Sequence, residues 1–127
     1  MTTATTPMAL DRAWPEAGVS RVPYWAYTDP QVYEQEMRLI FCGENWAYVG
    51  LEVEIPQPGD FKQSILGDRP VIMVRDEDGA VHVFVNRCAH RGVKLCRVPS
   101  GQVTRLTCPY HQWSYDLQGN LRGVPFH

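Results

Sequence analysis

The chain has 127 residues, a length that fits a single domain. Its net charge of -2 and isoelectric point near 6.0 argue against a generally basic protein, so neither nucleic acid nor an anionic membrane is indicated as a partner. A hydrophobic fraction of 44% is ordinary for a folded domain, and no apolar run reaches the length of about 18 residues that predicts a membrane span.

Residues 1–19 are predicted to form a flexible N-terminal arm. The stretch begins with a threonine-rich run and lacks both the basic start and the long apolar segment of a secretory signal. A cytoplasmic location is therefore expected. Thiols stay reduced there, so the four cysteines are interpreted as free thiols or metal ligands rather than disulfides.

An aromatic lead-in and one helix are predicted over residues 20–45. Asp29 can cap a helix and Pro30 suits its first position. The spacing i, i+4, i+7 and i+8 then places four apolar side chains on one face of a helix of about twelve residues. These side chains are Tyr33, Met37, Ile40 and Phe41. Gly43 is the predicted end of the helix.

The remaining sequence predicts strands. β-Forming residues fill the stretches NWAYVGLEVEI, FKQSIL, PVIMVR, AVHVFV, VTRLTC, WSYD and LRG. The predicted turns between them are PQPGD, GDR, DEDG, PSGQ and LQGN. In AVHVFV, alternation places Val81, Val83 and Val85 on one face. Short strands and tight turns predict a mainly β fold, an antiparallel sandwich or small barrel, preceded by one helix.

Two short stretches each contain one cysteine and one histidine. Cys88 and His90 are separated by one residue, Cys108 and His111 by two, and seventeen residues lie between the pairs. Simple core packing would require four coincidences of spacing. One structural zinc ion is a second interpretation, although zinc fingers usually pair Cys with Cys and His with His. A Rieske [2Fe–2S] cluster, with two thiolates on one iron and two imidazoles on the other, suits loops that offer one of each.

The sequence around these residues resembles a known family. CAHRG followed by CPYHQWSYD is similar to the Rieske domain of the large (α) subunit of aromatic-ring-hydroxylating oxygenases, the Rieske non-haem iron oxygenases. The resemblance extends through GDFK, VIMVRD, NRCAHRG and LQGNLRGVPF, and SRVPYWAYTD carries it back to residue 20. It points to the branch that acts on aromatic carboxylic acids such as salicylate, anthranilate or terephthalate.

The resemblance implies an antiparallel Rieske-type β-sandwich over residues 46–127, with a small cluster-binding subdomain. Cys88, His90, Cys108 and His111 are the implied ligands of a [2Fe–2S] cluster. The implied role is transfer of electrons from a ferredoxin or a flavin and iron–sulfur reductase to a mononuclear Fe(II), which activates dioxygen to hydroxylate an aromatic acid. The alternative is a free-standing Rieske-type ferredoxin, against which the aromatic lead-in argues.

The catalytic iron site of the family is expected to be absent from this chain. That iron needs two histidines and a carboxylate. His82 lies mid-strand, where packing or solvent contact is expected, and His127 is the last residue. Since the family's catalytic domain follows the Rieske domain, the chain is expected to match about the first third of an α subunit. A homotrimer, with or without a small β subunit, is implied at full length, in which a carboxylate of the neighbouring subunit's catalytic domain bonds the residue that matches His111. In this chain His111 is therefore expected to present its free ring nitrogen at the surface.

Residues beside the implied ligands bear on the reduction potential. High-potential Rieske proteins have a disulfide cysteine and a serine where Tyr110 and Trp113 stand, so a potential near the bottom of the range of roughly -150 to +300 mV is expected. Tyr115 is expected to donate to a cysteine sulfur. Cys42 and Cys96 are expected to be core residues or spare thiols rather than ligands.

Two further features of the motif concern its backbone and its charge. Gln112 stands where many family members carry glycine, so a positive φ is not expected there. Five basic residues and no acidic one lie between residues 86 and 115, which fits either a solvated face or the docking of an acidic ferredoxin or reductase. They are Arg87, Arg91, Lys94, Arg97 and Arg105.

Overall fold

The computed structural model describes residues 13–16 and 18–125. Most of the predicted N-terminal arm, residues 1–19, lies outside the described residues, and so does His127. Within the described ranges, no helix is long and apolar enough to cross a membrane.

The helix predicted from Pro30 onward is present, and two short helical elements that were not predicted precede it. A 3-10 turn at Gly18–Ser20 precedes helix α1, Trp25–Thr28, and helix α2, Pro30–Glu36, which continues into a π turn, Met37–Phe41. The Asp29 carboxylate caps α2 by accepting from the Gln31 N–H at 2.8 Å. Helical structure therefore covers residues 30–41, and the predicted cap and end before Gly43 are confirmed.

The predicted apolar face of α2 is only partly buried. Met37 and Phe41 pack against Gly67, where a Cβ would lie 2.5 Å from the Met37 side chain. Tyr33 and Ile40 stay 59% and 53% exposed. The C-terminal end of the helix therefore packs against the turn at Gly67.

Seven strands form two antiparallel sheets. Their bounds are β1 Asp60–Leu66, β2 Arg69–Arg75, β3 Val81–Val85, β4 Ser100–Gln102, β5 Leu106–Thr107, β6 Ser114–Tyr115 and β7 Leu121–Gly123. The first sheet has the order β3-β2-β1-β4, and the second has the order β5-β6-β7. The mainly β, antiparallel fold predicted from the sequence is confirmed, and so are the turns GDR, DEDG and LQGN.

Two assignments from the sequence, one strand and one turn, are wrong. NWAYVGLEVEI forms no strand; it contains a 3-10 helix at Glu52–Glu54, and Trp46 is fully exposed. β-Forming side chains do not make a strand unless a neighbouring strand accepts them. PSGQ, predicted as a turn, supplies β4, because Gly101 fits against the ring of Phe61 on β1. The predicted strands VTRLTC and WSYD shrink to two residues each.

The core lies between the two sheets. Ile72 and Val74 of β2 are fully buried, and they join Phe61, Leu106 and Tyr115 in one apolar cluster. Burying such side chains contributes about 1.5–3 kcal/mol each to stability. Three of the four cysteines belong to the same cluster, so the region that follows β3 and β5 is built directly on this core.

The outer face of β3 carries the valines. Val83 and Val85 are 47% and 43% exposed, whereas Phe84 packs against the core. The predicted alternation is therefore confirmed, with the valine face turned away from the second sheet.

Candidate metal centre

The first cysteine loop, residues 88–93, follows the end of β3. The Cys88 N–H donates to the Val93 carbonyl at 2.8 Å, and the Gly92 N–H returns to the Cys88 carbonyl at 2.9 Å. Gly92 has a φ of 72°, and a Cβ there would lie 2.9 Å from the Arg87 guanidinium. Glycine is therefore required by both the backbone conformation and the space.

The second cysteine loop, residues 108–113, joins β5 to β6 and repeats this pattern. The Cys108 N–H donates to the Trp113 carbonyl at 2.8 Å, and the Gln112 N–H donates to the Cys108 carbonyl at 2.9 Å. Gln112 has a φ of 57°, so the expectation that this position avoids a positive φ was wrong. Gln112 occupies the position of Gly92 in the other loop, and the shared pair of hydrogen bonds imposes the left-handed conformation whatever the residue.

The two loops bring the four predicted residues together. Cys88 and Cys108 are each 2% exposed, and the centroids of the His90 and His111 rings lie 4.7 Å apart. The Nδ1 atoms of both histidines are buried and have no hydrogen-bond partner. A buried polar atom without a partner is costly, so two of them side by side indicate that a group belonging to the site normally satisfies them.

Aromatic rings flank both imidazoles. The Trp113 ring stacks on His90 with centroids 4.7 Å apart and an interplanar angle of 8°. The Tyr110 ring lies 3.8 Å from that of His111. These contacts limit rotation of the imidazoles, which keeps both Nδ1 atoms directed into the site. The sequence placed both aromatic residues beside the ligands but did not reveal the stacking.

The environment of Cys88 favours the thiolate. Burial raises the pKa of Cys88, but the Tyr115 hydroxyl at 3.2 Å and the N–H groups of His90 and Arg91 outweigh it, so the pKa lies below its ordinary value. Tyr115 also accepts the Ala89 N–H at 3.1 Å. The predicted contact between Tyr115 and a cysteine sulfur is confirmed, and thiolate is the form that binds metals.

The environment of His111 favours the neutral imidazole. Burial, followed by the neighbouring His90 and the charge of Arg91, lowers the pKa of His111 below its ordinary value. A metal ligand must be deprotonated at the coordinating nitrogen. The electrostatics of both loops therefore agree with a metal-binding role.

The remaining cysteines and histidines lie elsewhere. Cys96 is 7% exposed in the core, and burial raises its pKa to about 11, so it stays a neutral thiol. Cys42 is half-buried at the end of the helix. His82 contacts the Asp76 carboxylate at 2.7 Å, at the end of β3 away from the first cysteine loop. All five basic residues predicted around the site are exposed.

The donor set matches what a two-iron cluster requires. A Rieske cluster needs only a thiolate pair at one iron and an imidazole pair at the other. The two buried thiols and the two unpartnered Nδ1 atoms supply these two pairs.

Comparison with known proteins agrees with this geometry. Residues 45–127 match the family described as Rieske [2Fe-2S] domain. The salicylate 5-hydroxylase large oxygenase component of Ralstonia sp. is 54% identical over 116 residues, which are 91% of this chain and 27% of that protein. The anthranilate 1,2-dioxygenase large subunit of Burkholderia cepacia is 51% identical over 93% of this chain and 28% of its own length.

The fold is shared with a solved oxygenase structure. Naphthalene 1,2-dioxygenase from Rhodococcus sp. superposes with a TM-score of 0.72 at 39% identity, covering 76% of this chain and 22% of that chain. The chain therefore spans about a quarter of the length of the relatives it matches.

Proposed function

The chain belongs to the Rieske [2Fe-2S] domain family, and from that premise we propose that it is the electron-transfer domain of an aromatic-ring-hydroxylating oxygenase large subunit. In this role it receives single electrons from a ferredoxin or reductase and passes them to a mononuclear iron carried elsewhere in the oxygenase. The observation that supports this best is the pair of buried, unpartnered histidine Nδ1 atoms beside two buried cysteines.

We assign the four ligands to the two cysteine loops. Cys88 and Cys108 provide the thiolate pair, and His90 and His111 provide the imidazole pair through Nδ1. When bound, a Rieske cluster supplies a one-electron redox centre. Both histidines are partly exposed although their Nδ1 atoms are buried, so the outer edge of each ring is available to a partner or to a proton.

The neighbouring residues tune and shield this centre. The Tyr115 hydroxyl and the backbone N–H groups of the first cysteine loop donate toward Cys88, and such donors stabilise a reduced, more negative cluster. Trp113 covers one face of His90 and excludes water from it. Tyr110 and Trp113 stand where high-potential Rieske proteins have a disulfide cysteine and a serine, which keeps the expected potential in the low part of the Rieske range.

The partner that reduces this centre is proposed to present an acidic surface. Arg87, Arg91 and Lys94 project from or beside the first cysteine loop and are exposed, and no acidic residue lies between residues 86 and 115. Opposite charges speed the encounter of two proteins, and salt weakens that effect. Reduction by the partner should therefore slow as ionic strength rises.

The substrate class and the domain division are proposals of the same kind. The relatives named for salicylate and anthranilate favour an aromatic carboxylic acid as the substrate of the whole oxygenase. Residues 46–127 are assigned to the cluster-binding domain, which agrees with the family match from residue 45, and residues 20–45 to a lead-in. A homotrimer of large subunits, with or without a small subunit, is proposed for the whole oxygenase.

Metal and sulfide analysis of anaerobically purified protein tests the proposal. We expect two irons and two acid-labile sulfides per chain, together with the electron paramagnetic resonance signal of a Rieske centre after reduction by dithionite. A colourless protein that contains one zinc per chain would refute the cluster. A cluster that a ferredoxin and its reductase cannot reduce would refute the electron-transfer role.

A further inference from the structure

A buried asparagine lies at the base of the first cysteine loop. Asn86 is 1% exposed and directly follows β3, and its backbone N–H donates to the Pro70 carbonyl at 2.8 Å. Its carboxamide Nδ2 donates to the Gln63 Oε1 and to the Cys96 carbonyl, both at 2.9 Å. Its Oδ1 accepts the N–H groups of Leu95 and Cys96, both at 3.0 Å.

These four hydrogen bonds use the whole capacity of the carboxamide. An asparagine side chain has two N–H donors and an oxygen with two lone pairs, and each of them has a partner here. Three of the bonds go to the backbone of residues 95–96, where the chain returns from the first cysteine loop. The fourth goes to the Gln63 side chain on β1, and the backbone N–H of Gln63 donates to the Pro99 carbonyl at 2.7 Å.

The two cysteine loops are closed at their bases in different ways. Backbone pairing of Leu106 with Tyr115 and of Thr107 with Ser114 closes the second loop. Residues 95–96 belong to no strand, and β3 pairs with β2 instead. At the base of the first loop, the Asn86 side chain therefore takes the place that strand pairing has at the second.

We propose that Asn86 is a positioning residue for the metal centre, which holds residues 87–94 in the conformation that presents Cys88 and His90. The proposal rests on the ligand set assigned above. Asparagine is the only residue that offers two donors and two acceptor lone pairs at this distance from the backbone. Aspartate has the same shape but no donor, so it would leave the Gln63 and Cys96 oxygens without a partner.

A first test uses the metal-free protein and trypsin. The held segment contains the cleavage sites Arg87, Arg91 and Lys94. Asn86→Asp and Asn86→Ala are expected to be cut in this segment about tenfold faster than the unsubstituted protein, because loss of buried hydrogen bonds favours local opening. The control is Val74→Ala, which removes a fully buried side chain of β2. Rates are compared at equal distances below each thermal midpoint.

A second test uses the protein that carries its cluster. Release of iron to a chelator, followed by absorbance, should be about tenfold faster in Asn86→Asp than in Val74→Ala at matched stability. Equal rates of cleavage and release in these two variants would overturn the proposal. If neither Asn86 variant folds, Gln63→Ala tests the proposal instead, because it removes one of the four hydrogen bonds of Asn86. Trypsin should cut Gln63→Ala faster than the Val74→Ala control, and equal cleavage rates would overturn the proposal.

The two tests separate this inference from the proposed function. If the unsubstituted protein binds no iron and sulfide, the ligand assignment fails, yet the trypsin rates still report whether Asn86 holds the segment. If the cluster is present and the Asn86 variants behave like Val74→Ala, only the role of Asn86 fails.

Discussion

Strands β3 and β6 each have an aspartate turn at one end and a cysteine loop at the other, and the two kinds of turn share one hydrogen-bonding pattern. The aspartate turns are residues 76–80 and 116–120. In each, the N–H of the first residue donates to the carbonyl of the fifth, and the N–H of the fourth donates to the carbonyl of the first. The cysteine loops use the same two bonds with one more residue in between. Three of the four turns place glycine at the left-handed position, as Gly79, Gly92 and Gly119.

The aspartate turns satisfy their own polar groups, whereas the cysteine loops do not. Asp76 accepts from two backbone N–H groups and contacts His82 and Gln118. Asp116 likewise accepts two backbone N–H groups and donors from Asn120 and Arg122. In the cysteine loops the buried imidazole nitrogens have no partner at all. The same pair of backbone hydrogen bonds therefore stabilises the fold in the aspartate turns and forms a ligand site in the cysteine loops.

Replacing one histidine of a cysteine loop and one beside an aspartate turn should give the largest difference between the two kinds of turn. His111→Ala should abolish the absorbance and paramagnetic signal of the cluster, because it removes one of only two imidazole ligands. It should leave the thermal midpoint of the metal-free protein within about 3 °C of the original, because a partly exposed ring without a hydrogen bond is lost.

His82→Ala is the matched control for His111→Ala. It should retain the cluster and lower the thermal midpoint, since the contact with Asp76 disappears. A cluster that survives in His111→Ala, or is lost in His82→Ala, would contradict the division between the two ends.

Removing the carboxylate of the first aspartate turn should destabilise the protein without emptying the metal centre. Asp76→Ala leaves the N–H groups of Asp78 and Ala80 without their acceptor. The thermal midpoint should fall by about 5–10 °C, measured by circular dichroism, with iron content per folded chain unchanged. Glu77→Ala removes the same charge from an exposed position of the turn and should shift the midpoint by less than about 2 °C.

Acid should weaken the aspartate turns. The hydrogen bond from His82 lowers the pKa of Asp76 against the opposing effect of burial, and for Asp116 bonds from Asn120 and Arg122 outweigh burial and lower the pKa. A carboxylate with a lowered folded pKa adds stability above its unfolded pKa of about 4, and this stability is lost as the pH falls through the folded value.

Urea unfolding of the metal-free protein between pH 6 and pH 3 measures this loss. The free energy of unfolding should decline below about pH 4, and the decline should be shallower in Asp76→Asn, which no longer titrates. An equal decline in both proteins would show that Asp76 does not contribute to the acid sensitivity.

The sequence predicted the parts of the fold that depend on neighbouring residues. The Asp29 cap, the helix end before Gly43 and the glycine turn at Gly79 were all confirmed, because each depends on a few adjacent residues. The assignments of NWAYVGLEVEI and PSGQ failed because a strand exists only where a distant strand pairs with it.

The same distinction holds at the metal centre. The spacing of two cysteines and two histidines predicted which side chains come together. It could not show the four hydrogen bonds of Asn86, since their partners lie 9–23 residues away. Nor could it show that Gln112 matches Gly92, because the histidines sit at different positions in the two loops.

Substitution of Gln112 has the smallest expected effect and gives the most specific test of the comparison between the turns. It is the one non-glycine residue with a positive φ among residues 13–16 and 18–125. A left-handed backbone costs a residue with a side chain about 1–2 kcal/mol, and glycine loses part of this gain through its freer unfolded chain. Gln112→Gly should therefore stabilise the metal-free protein by about 1 kcal/mol in urea unfolding.

The same substitution at a position with a negative φ should have the opposite effect. Gln57→Gly in an exposed turn relieves no strain and should destabilise the protein by about 0.5–1 kcal/mol. Gly92→Ala should also destabilise, because the added Cβ meets the Arg87 guanidinium at 2.9 Å. If Gln112→Gly fails to stabilise while Gly92→Ala destabilises, a side chain at the left-handed position is costly in the first cysteine loop only, and the two loops are equivalent in hydrogen bonding but not in energy.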